Sequence, residues 1–243
     1  VKPSRVRSAA IPALSVLVGL ALSYTLLFVL TGLSLQRFAK VFIDAVYSFQ
    51  SYLDIYFTLL ILGVSTAISF RAGFWNVGAE GQYVAGMLGA TYIALFSSFV
   101  AYEGGYPRPV ADPTIVKLTA IIFGAILGSA LSLVAALLKA YMGVHEVPVT
   151  LILNYVMYFA VDALVAGPWR GKRVYGYFRT DEIPEELKLS VVHWAPSLRW
   201  ELLLAVAIVI AFTAYLTLWS PLGLWIKIRG VNPAALRFHG VDE

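Results

Sequence analysis

The stretch RAGFWNVGAEGQ, residues 71–82, lies between two long apolar segments and places polar side chains and flexible backbone where a bilayer tolerates them least. Its polar members include Arg71, Asn76 and Glu80, and its glycines are Gly73, Gly78 and Gly81. Non-helical backbone at membrane depth is tolerated only where it is buried in protein or lines a watery cavity. We therefore predict a broken or re-entrant segment near residues 71–82.

The composition predicts an integral membrane protein. Of 243 residues, 60% are hydrophobic and only 13% are charged, with a mean hydropathy of +0.79, whereas soluble domains carry about 25% charged residues. The chain contains no cysteine, which excludes disulfides, thiolate nucleophiles and cysteine-ligated metals. The net charge of +4 is interpreted as a signal of membrane orientation rather than of nucleic-acid binding.

Charge-free runs of about 20 residues predict an all-α polytopic protein with about six transmembrane helices, forming one transmembrane domain over residues 1–243. The predicted spans are 10–35, 55–70, 81–102, 118–138, 147–167 and 202–219. The first run could pass for a secretion signal, but it carries no charge from Ser8 to Gln36. That is longer than the roughly 7–15 residues of a signal's apolar core, so we predict an uncleaved span. Residues 36–56 mix charges with aromatic side chains and predict an interfacial helix.

Positive charges near the first span favour a cytoplasmic N-terminus. Six spans then place residues 168–200 outside the cytoplasm as an extracytoplasmic loop and residues 220–243 inside it. Several basic residues in 168–200 count against this topology, since acidic neighbours weigh little in the rule. They are Arg170, Lys172, Arg173, Arg179 and Lys188.

Small residues recur every four positions in two of the spans, which predicts close helix packing in a bundle. The fourth span carries Ala120, Gly124, Gly128, Ser132, Ala136 and Ala140, and the third carries Gly81, Ala85 and Gly89. A ligand contact by either stripe is much the less favoured interpretation.

The common catalytic patterns are absent from the sequence, including the phosphate loop, His-Glu-x-x-His and Gly-x-Ser-x-Gly. The three histidines, His145, His193 and His239, lie far apart in predicted loops. We therefore expect no catalytic residue and no metal site on this chain. If the protein uses ATP energy, another chain must hydrolyse the ATP.

The fifth span contains polar residues at intervals of four: Thr150, Asn154, Tyr158 and Asp162. An ionisable group inside a span suggests a functional site by default, so Asn154 and Asp162 are candidates for contact with a transported solute. Two plainer interpretations stay open. Asn154 could bridge helices, and Asp162 could lie near the outer end of the span beside interfacial water.

Within the opening stretch, Asn76 can satisfy backbone groups locally, and Glu80 suits the first turn of a helix, where its charge meets the positive end of the dipole. These properties of Asn76 and Glu80 fit a structural cap and the lining of a transport route equally well.

Three ordered stretches also resemble one family. They are FRAGFWNVGAEGQ (70–82), HEVPVTLILNYV (145–156) and GLWIKIRGVNPAALRFHGVD (223–242). They resemble motifs of the permease subunits of ABC importers for nucleosides and related simple sugars, in the branched-chain amino acid and ribose permease superfamily. The matching positions in the second stretch are Glu146, Leu151, Leu153, Asn154 and Tyr155.

The resemblance implies a translocation subunit in the cytoplasmic membrane that pairs with an identical or different second permease. Two ATPase subunits would hydrolyse ATP-Mg, and an extracytoplasmic binding protein would deliver the solute. This chain itself would bind no cofactor and no nucleic acid. Asn76, Glu80 and Gln82 would shape a turn near the solute cavity and Asn154 would face it, with Asp162 a further pathway candidate.

The family's cytoplasmic loop corresponds to residues 220–243 and is expected to contact the ATPase. Its short helix is predicted over residues 233–239, with Pro233 in the first turn and Asn232 as the cap. The candidate coupling residues are Gly223, Arg229, Gly230, Asn232, Pro233, Ala234, Ala235, Arg237 and Gly240. Without the resemblance, the same loop could be a basic segment resting on anionic lipid.

The sequence departs from the family at His145, Pro148 and Val149, which leaves the solute open. The family also continues for several spans beyond this loop, so we do not expect a complete translocation path from these six. Two rivals remain. A gradient-driven transporter or channel would use Asp162 and Glu146 to carry protons or cations, and a membrane scaffold would conduct nothing.

Overall fold

The computed structural model describes residues 5–172 and 176–238, and these ranges form a mainly helical protein. The helices are α1 (Arg5–Thr31), α2 (Leu35–Tyr47), α3 (Leu53–Arg71), α4 (Ala79–Thr91), α5 (Pro113–Met142), α6 (Glu146–Ala166), α7 (Trp200–Leu218), α8 (Pro221–Val231) and α9 (Pro233–Phe238). Two small antiparallel hairpins accompany them: β1 (Val100–Glu103) with β2 (Tyr106–Pro109), and β3 (Val191–Val192) with β4 (Ala195–Arg199). The predicted all-α polytopic class is confirmed.

Five helices in the described part of the chain are long and apolar enough to cross a membrane: α1, α3, α5, α6 and α7. The remaining predicted span, 81–102, corresponds to α4 and a π-helical turn at Tyr92–Phe96. Together they cover about 27 Å at 1.5 Å per residue, close to the roughly 30 Å thickness of the hydrocarbon core. The predicted upper limit is wrong, because extended backbone begins at Val100 although residues 97–102 are largely apolar.

Local signals in the sequence fix several helix starts. Asp112 caps α5, and its carboxylate accepts a hydrogen bond from the Thr114 amide at 2.8 Å, with Pro113 in the first turn. Ser220 and Pro221 repeat this arrangement at α8, where the Ser220 hydroxyl accepts from the Gly223 amide at 3.1 Å. Thus α7 and α8 are separate helices joined by a short connection at Trp219 and Ser220.

Contacts between helix termini define two ends of the bundle. At the end that we name the α8 end, α3 and α5 finish, α4 and α6 begin, and α8 lies against them. At the opposite end, named the hairpin end, Trp169 after α6 stacks on Phe96 after α4 with ring centroids 4.8 Å apart. Successive helices from α3 to α7 therefore run in alternating directions.

The hairpin end contains most of the conventional hydrophobic core. One buried cluster joins the start of α3 to the second hairpin (Leu53, Val192, Ala195 and Leu198), and another joins the π-helical turn to α5 and Leu187 (Ile93, Ala94 and Val116). Lys172 lies over the Tyr102 ring at 4.1 Å from its centroid. Partial burial and the neighbouring Asp181 carboxylate raise the pKa of the Tyr102 phenol. Much of the predicted loop 168–200 therefore packs onto the helices.

Close packing of α4 against α5 confirms the prediction from the small-residue stripes. A Cβ atom on Gly124 would lie 2.7 Å from the Gly86 carbonyl oxygen, and one on Gly128 would lie 2.9 Å from that of Gln82. The two backbones therefore touch directly, which only small residues permit. Gly81 faces α6 instead.

The first two helices have the least packing. The described side chains of α1, from residue 14 onward, are almost all exposed, and so are most of those of α2. α2 covers most of the predicted interfacial segment, and Phe38 on it contacts Tyr24 of α1 with ring centroids 5.2 Å apart. Large apolar side chains exposed on every spanning helix are as expected for a surface that faces lipid or other membrane helices.

Candidate functional site

The non-helical segment between α3 and α4, residues 72–78, is named the corner. It confirms the predicted break near 71–82. α3 ends at Arg71, and Gly73 turns the chain with a positive φ of 73°, which favours glycine. The Phe74 amide then donates back to the Ser69 carbonyl at 2.9 Å. The chain leaves α3 through this turn and enters α4 at Ala79.

The first half of α6 provides hydrogen-bond partners for the corner. Glu146 Oε1 accepts from the Trp75 amide at 3.0 Å, and Thr150 Oγ1 accepts from the Val77 amide at 3.3 Å. Asn154 Oδ1 accepts from the Gly81 amide at 2.8 Å, while its Nδ2 donates to the Val77 carbonyl at 3.1 Å. Each partner satisfies a backbone group that would otherwise be costly to bury.

Two glycines of the opening stretch permit this contact. A Cβ on Gly78 would lie 2.8 Å from Thr150 Cβ, and a Cβ on Gly81 would lie 2.6 Å from Asn154 Oδ1 and 2.9 Å from Asn154 Cα. Gly73 is needed because the turn requires a positive φ. Gly78 and Gly81 are needed because a side chain at either position would overlap α6. The sequence indicated irregular backbone here but did not reveal this second purpose.

Asn76 and Gln82 form a reciprocal side-chain pair. Asn76 Nδ2 donates to Gln82 Oε1 at 3.1 Å, and Gln82 Nε2 donates to Asn76 Oδ1 at 3.2 Å. The Asn76 oxygen also accepts from the Gly78 amide at 2.9 Å, so it satisfies local backbone as predicted. Asn76 is 7% exposed and Gln82 is half-buried.

This pair lies in the wall of a cleft between α3, α4 and α5, which has a volume of about 780 Å³. Small-molecule sites typically have volumes of about 300–1,000 Å³. Apolar side chains such as Ile61, Met87 and Ile121 form much of the surface. The polar lining comprises Ser65, Thr66, Ser69, Asn76, Gln82, Ser129 and Ser132.

Sequence reasoning missed the α3 hydroxyls of this lining. Ser65 and Thr66 each donate to a carbonyl of their own helix, at 2.8 Å to Ile61 and 2.9 Å to Leu62. Hydroxyls bonded in this way are common in membrane helices and carry no distinctive pattern. The spacing of four between Ser65 and Ser69 was the available signal, since it places both on one face.

The other predicted pathway residues lie outside the lining of this cleft. Asn154 is buried, with both of its side-chain polar atoms bonded to backbone. Glu80 is exposed in the first turn of α4, within hydrogen-bonding reach of the Tyr158 hydroxyl. Asp162 is exposed on α6. Their contact with a solute stays a prediction, and the interpretation of Asn154 as a bridge matches its placement.

At the α8 end, the corner meets α8. Arg229 Nη1 donates to the Ala72 carbonyl at 2.8 Å. A Cβ on Gly230 would lie 2.2 Å from the Arg71 carbonyl oxygen, so at this point the two backbones touch. Arg229 and Gly230 thus contact the corner within this chain, and their predicted contact with an ATPase stays a prediction.

The remaining candidate coupling residues divide by position. Gly223 is buried where α8 contacts the end of α7, and a Cβ there would lie 2.1 Å from the Leu216 carbonyl oxygen. Asn232, Pro233 and Ala234 are exposed, and Ala235 is half-buried. The predicted short helix is confirmed as α9, Pro233–Phe238. The Arg237 side chain, His239 and Gly240 lie outside what the structure describes.

A partly buried ion pair, which sequence reasoning missed, lies at the α8 end. Lys139 Nζ at the end of α5 lies 2.5 Å from Glu146 Oε1 and 3.4 Å from the Gly73 carbonyl oxygen. The Glu146 side chain is 4% exposed and that of Lys139 is 27% exposed. Opposite charges seven residues apart, across the turn at Gly143, were the signal that could have revealed it. Among the described residues, no group of three His, Asp or Glu side chains could hold a metal ion.

Comparison with known families gives a match over most of the chain. Residues 49–243 match the model of the permease component of branched-chain amino acid transport systems. No solved structure matches significantly.

Three relatives agree with this match. The nucleoside ABC transporter permease protein NupB of Lactococcus lactis is 24% identical over 98% of this chain and 65% of its own length. The guanosine ABC transporter permease protein NupP of Bacillus subtilis is 25% identical over 75% of this chain and 49% of its own length. The glucose ABC transporter permease protein TsgB13 of Haloferax volcanii is 26% identical over 96% and 61%. The chain thus spans about half to two-thirds of the length of these relatives.

Proposed function

Because the chain belongs to the family of permease components of branched-chain amino acid transport systems, we propose that it is the translocation subunit of an ABC importer. It carries nucleosides or related small polar solutes into the cell by alternating access. The observation that supports this most is the cleft of about 780 Å³ whose polar lining includes Asn76 and Gln82. The same two residues belong to the segment that resembles the family signature.

The chemistry of the lining suits a polar ring compound. Amides of Asn76 and Gln82 offer both donors and acceptors, and the serine and threonine hydroxyls do the same. Apolar neighbours such as Ile61 and Met87 would contact the faces of a flat ring. The relatives are named for nucleosides, guanosine and glucose, which all carry hydroxyl-bearing rings.

The partners belong to the same proposal. Two ATPase subunits hydrolyse ATP-Mg, a second permease completes the path, and an extracytoplasmic binding protein delivers the solute. The exposed residues Asn232, Pro233 and Ala234 at the start of α9 are available to an ATPase. In this arrangement the protein is a multi-pass component of the cytoplasmic membrane, with its N-terminus and α8 end in the cytoplasm.

The gradient-driven alternative has less support from the geometry. Glu146 is paired with Lys139 and accepts the Trp75 amide, so it is already committed as a carboxylate. Asp162 lies on the exposed surface of α6, outside the lining of the cleft. A non-conducting scaffold would leave the polar lining of the cleft without a purpose.

The test is uptake in the native host. Deleting the gene should abolish ATP-dependent uptake of radiolabelled nucleoside, and the tagged chain should retain an ATPase in mild detergent. Gln82→Ala should lower uptake about tenfold with the ATPase still bound. Gln36→Ala is the matched control, because it removes the same side chain from an exposed position on α2, outside the cleft lining. Uptake that survives deletion of the ATPase gene and follows a proton or sodium gradient would refute the proposal.

A further inference from the structure

α8 is joined to the corner through backbone atoms. The Arg229 guanidinium donates to the Ala72 carbonyl at 2.8 Å, and Gly230 touches the Arg71 carbonyl group so closely that a Cβ would lie 2.2 Å from its oxygen. On the other side of the contact, a Cβ on Gly73 would lie 3.4 Å from Gly230 Cα. No flexible side chain separates the two segments at Gly230. A displacement of α8 therefore reaches residues 71–73 directly.

Lys139 holds the same corner against two further helices. Its ammonium lies 2.5 Å from Glu146 Oε1 on α6 and 3.4 Å from the Gly73 carbonyl oxygen, and 5.2 Å from the centre of the Phe74 ring. Glu146 Oε1 in turn accepts the Trp75 amide at 3.0 Å. One side chain of α5 thus joins α6 to both ends of the segment Gly73–Trp75.

The corner ends in the cleft. Asn76 follows Trp75 directly, and its amide pairs with Gln82 in the cleft lining. The connection from α8 runs through Arg229 and Gly230 to Gly73, and then through Lys139 and Glu146 to Trp75. Every step in it is a hydrogen bond, an ion pair or a direct backbone contact.

We propose that Lys139 is a positioning residue for coupling between α8 and the cleft. By fixing Gly73 and Glu146 together, it makes the corner rigid, so that a movement of α8 displaces Trp75 and Asn76 instead of being absorbed by bending at Gly73. Without the ammonium, the buried Glu146 carboxylate keeps only the exposed His145 ring, 3.7 Å from its Oε2, as an ion-pair partner among the described residues, and the corner loses a bond to Gly73. This inference rests on the proposed function, since it assigns α8 the role of receiving movement from an ATPase.

The test measures solute imported per ATP hydrolysed. The full-length gene product, co-expressed with its ATPase and second permease, is reconstituted in liposomes with the binding protein and radiolabelled nucleoside. Lys139→Met should keep ATP hydrolysis within twofold of wild type and lower import per ATP at least tenfold. Lys139→Arg should restore at least half of that ratio. Lys188→Met is the matched control, because Lys188 also forms a 2.5 Å ion pair, with Glu185, but on an exposed segment.

If Lys139 has a purely structural role, the same assay gives a different result. Import and hydrolysis would then fall together, and import per ATP would not change in Lys139→Met, which would overturn the inference. If that variant does not assemble, Glu146→Gln decides, since it keeps the side-chain volume and the acceptor for Trp75. Its import per ATP should fall at least threefold, and an unchanged ratio overturns the inference. A wild-type complex that retains no ATPase and imports no solute would instead refute the proposed function, before any variant is compared.

Discussion

The two halves of α6 carry the same spacing of polar residues but lie in different surroundings. In the first half, Glu146, Thr150 and Asn154 are buried, and each bonds the corner or the start of α4. In the second half, Tyr158 and Asp162 are exposed. Each step of four residues advances about 40° around a helix, so Asp162 lies about 160° from Glu146. Polar residues spaced by four therefore share one face of a helix over only two or three consecutive members of the series.

Gly81→Ala should have the largest effect on the buried half. The new Cβ would lie 2.6 Å from Asn154 Oδ1 and 2.9 Å from its Cα, so α4 and α6 must separate and both hydrogen bonds of Asn154 weaken. We expect a loss of about 4 kcal/mol in the free energy of unfolding, from overpacking and lost hydrogen bonds together. Thermal unfolding in mild detergent would measure it.

Gly63→Ala is the control for that substitution, since nothing lies within 4 Å of its Cβ position on α3. It should be neutral or stabilise the helix by up to about 1 kcal/mol. Equal destabilisation by the two changes would mean that α6 does not press on α4 as described.

Asn154→Ala should rank second. It leaves the buried Gly81 amide and the partly buried Val77 carbonyl without their partner, at a cost of about 2 kcal/mol for the two groups. Thr150→Val removes one longer bond, 3.3 Å to the Val77 amide, and should cost about 1 kcal/mol in the same unfolding assay. Should the two variants rank in the reverse order, the bridge between α6 and the corner would not depend on Asn154.

Asp162→Asn should have the smallest effect on stability, within about 0.5 kcal/mol, because the side chain is exposed. Melting in detergent checks this directly. A nucleoside uptake assay on the same variant then sharpens the comparison. Uptake that falls without any change in melting would support the pathway role predicted for Asp162 from the sequence, whereas a lower melting temperature would show that the second half of α6 is also buried against a neighbour.

Features encoded by backbone sterics were predictable from the sequence. Clustered glycines predicted the break between α3 and α4, the small-residue stripe predicted the contact of α4 with α5, and Pro233 predicted the start of α9. Each depends on a property of one residue type that holds in any surroundings. The family resemblance, carried by three ordered motifs, is confirmed by the match over residues 49–243.

Features that depend on which helices meet were harder to predict. The sequence indicated that Glu146 belongs to a motif but did not show that it pairs with Lys139. The limit of the third span was misplaced because an apolar hairpin strand and an apolar helix have the same composition. Arg229 belongs to a motif expected to contact an ATPase, and the sequence did not show that its guanidinium also bonds the Ala72 carbonyl, which follows from the position of α3 beside α8.

The contact between α4 and α5 also limits how the cleft can change its width. Gly86 and Gly124 touch through main-chain atoms, with no side chain between them that could adopt another rotamer and allow sliding. We therefore expect α4 and α5 to move as one rigid unit. The hydrogen bond from the Gly81 amide to Asn154 attaches α6 to this unit. A change in the width of the cleft therefore requires a displacement of its other wall, α3, or of the corner that joins α3 to α4.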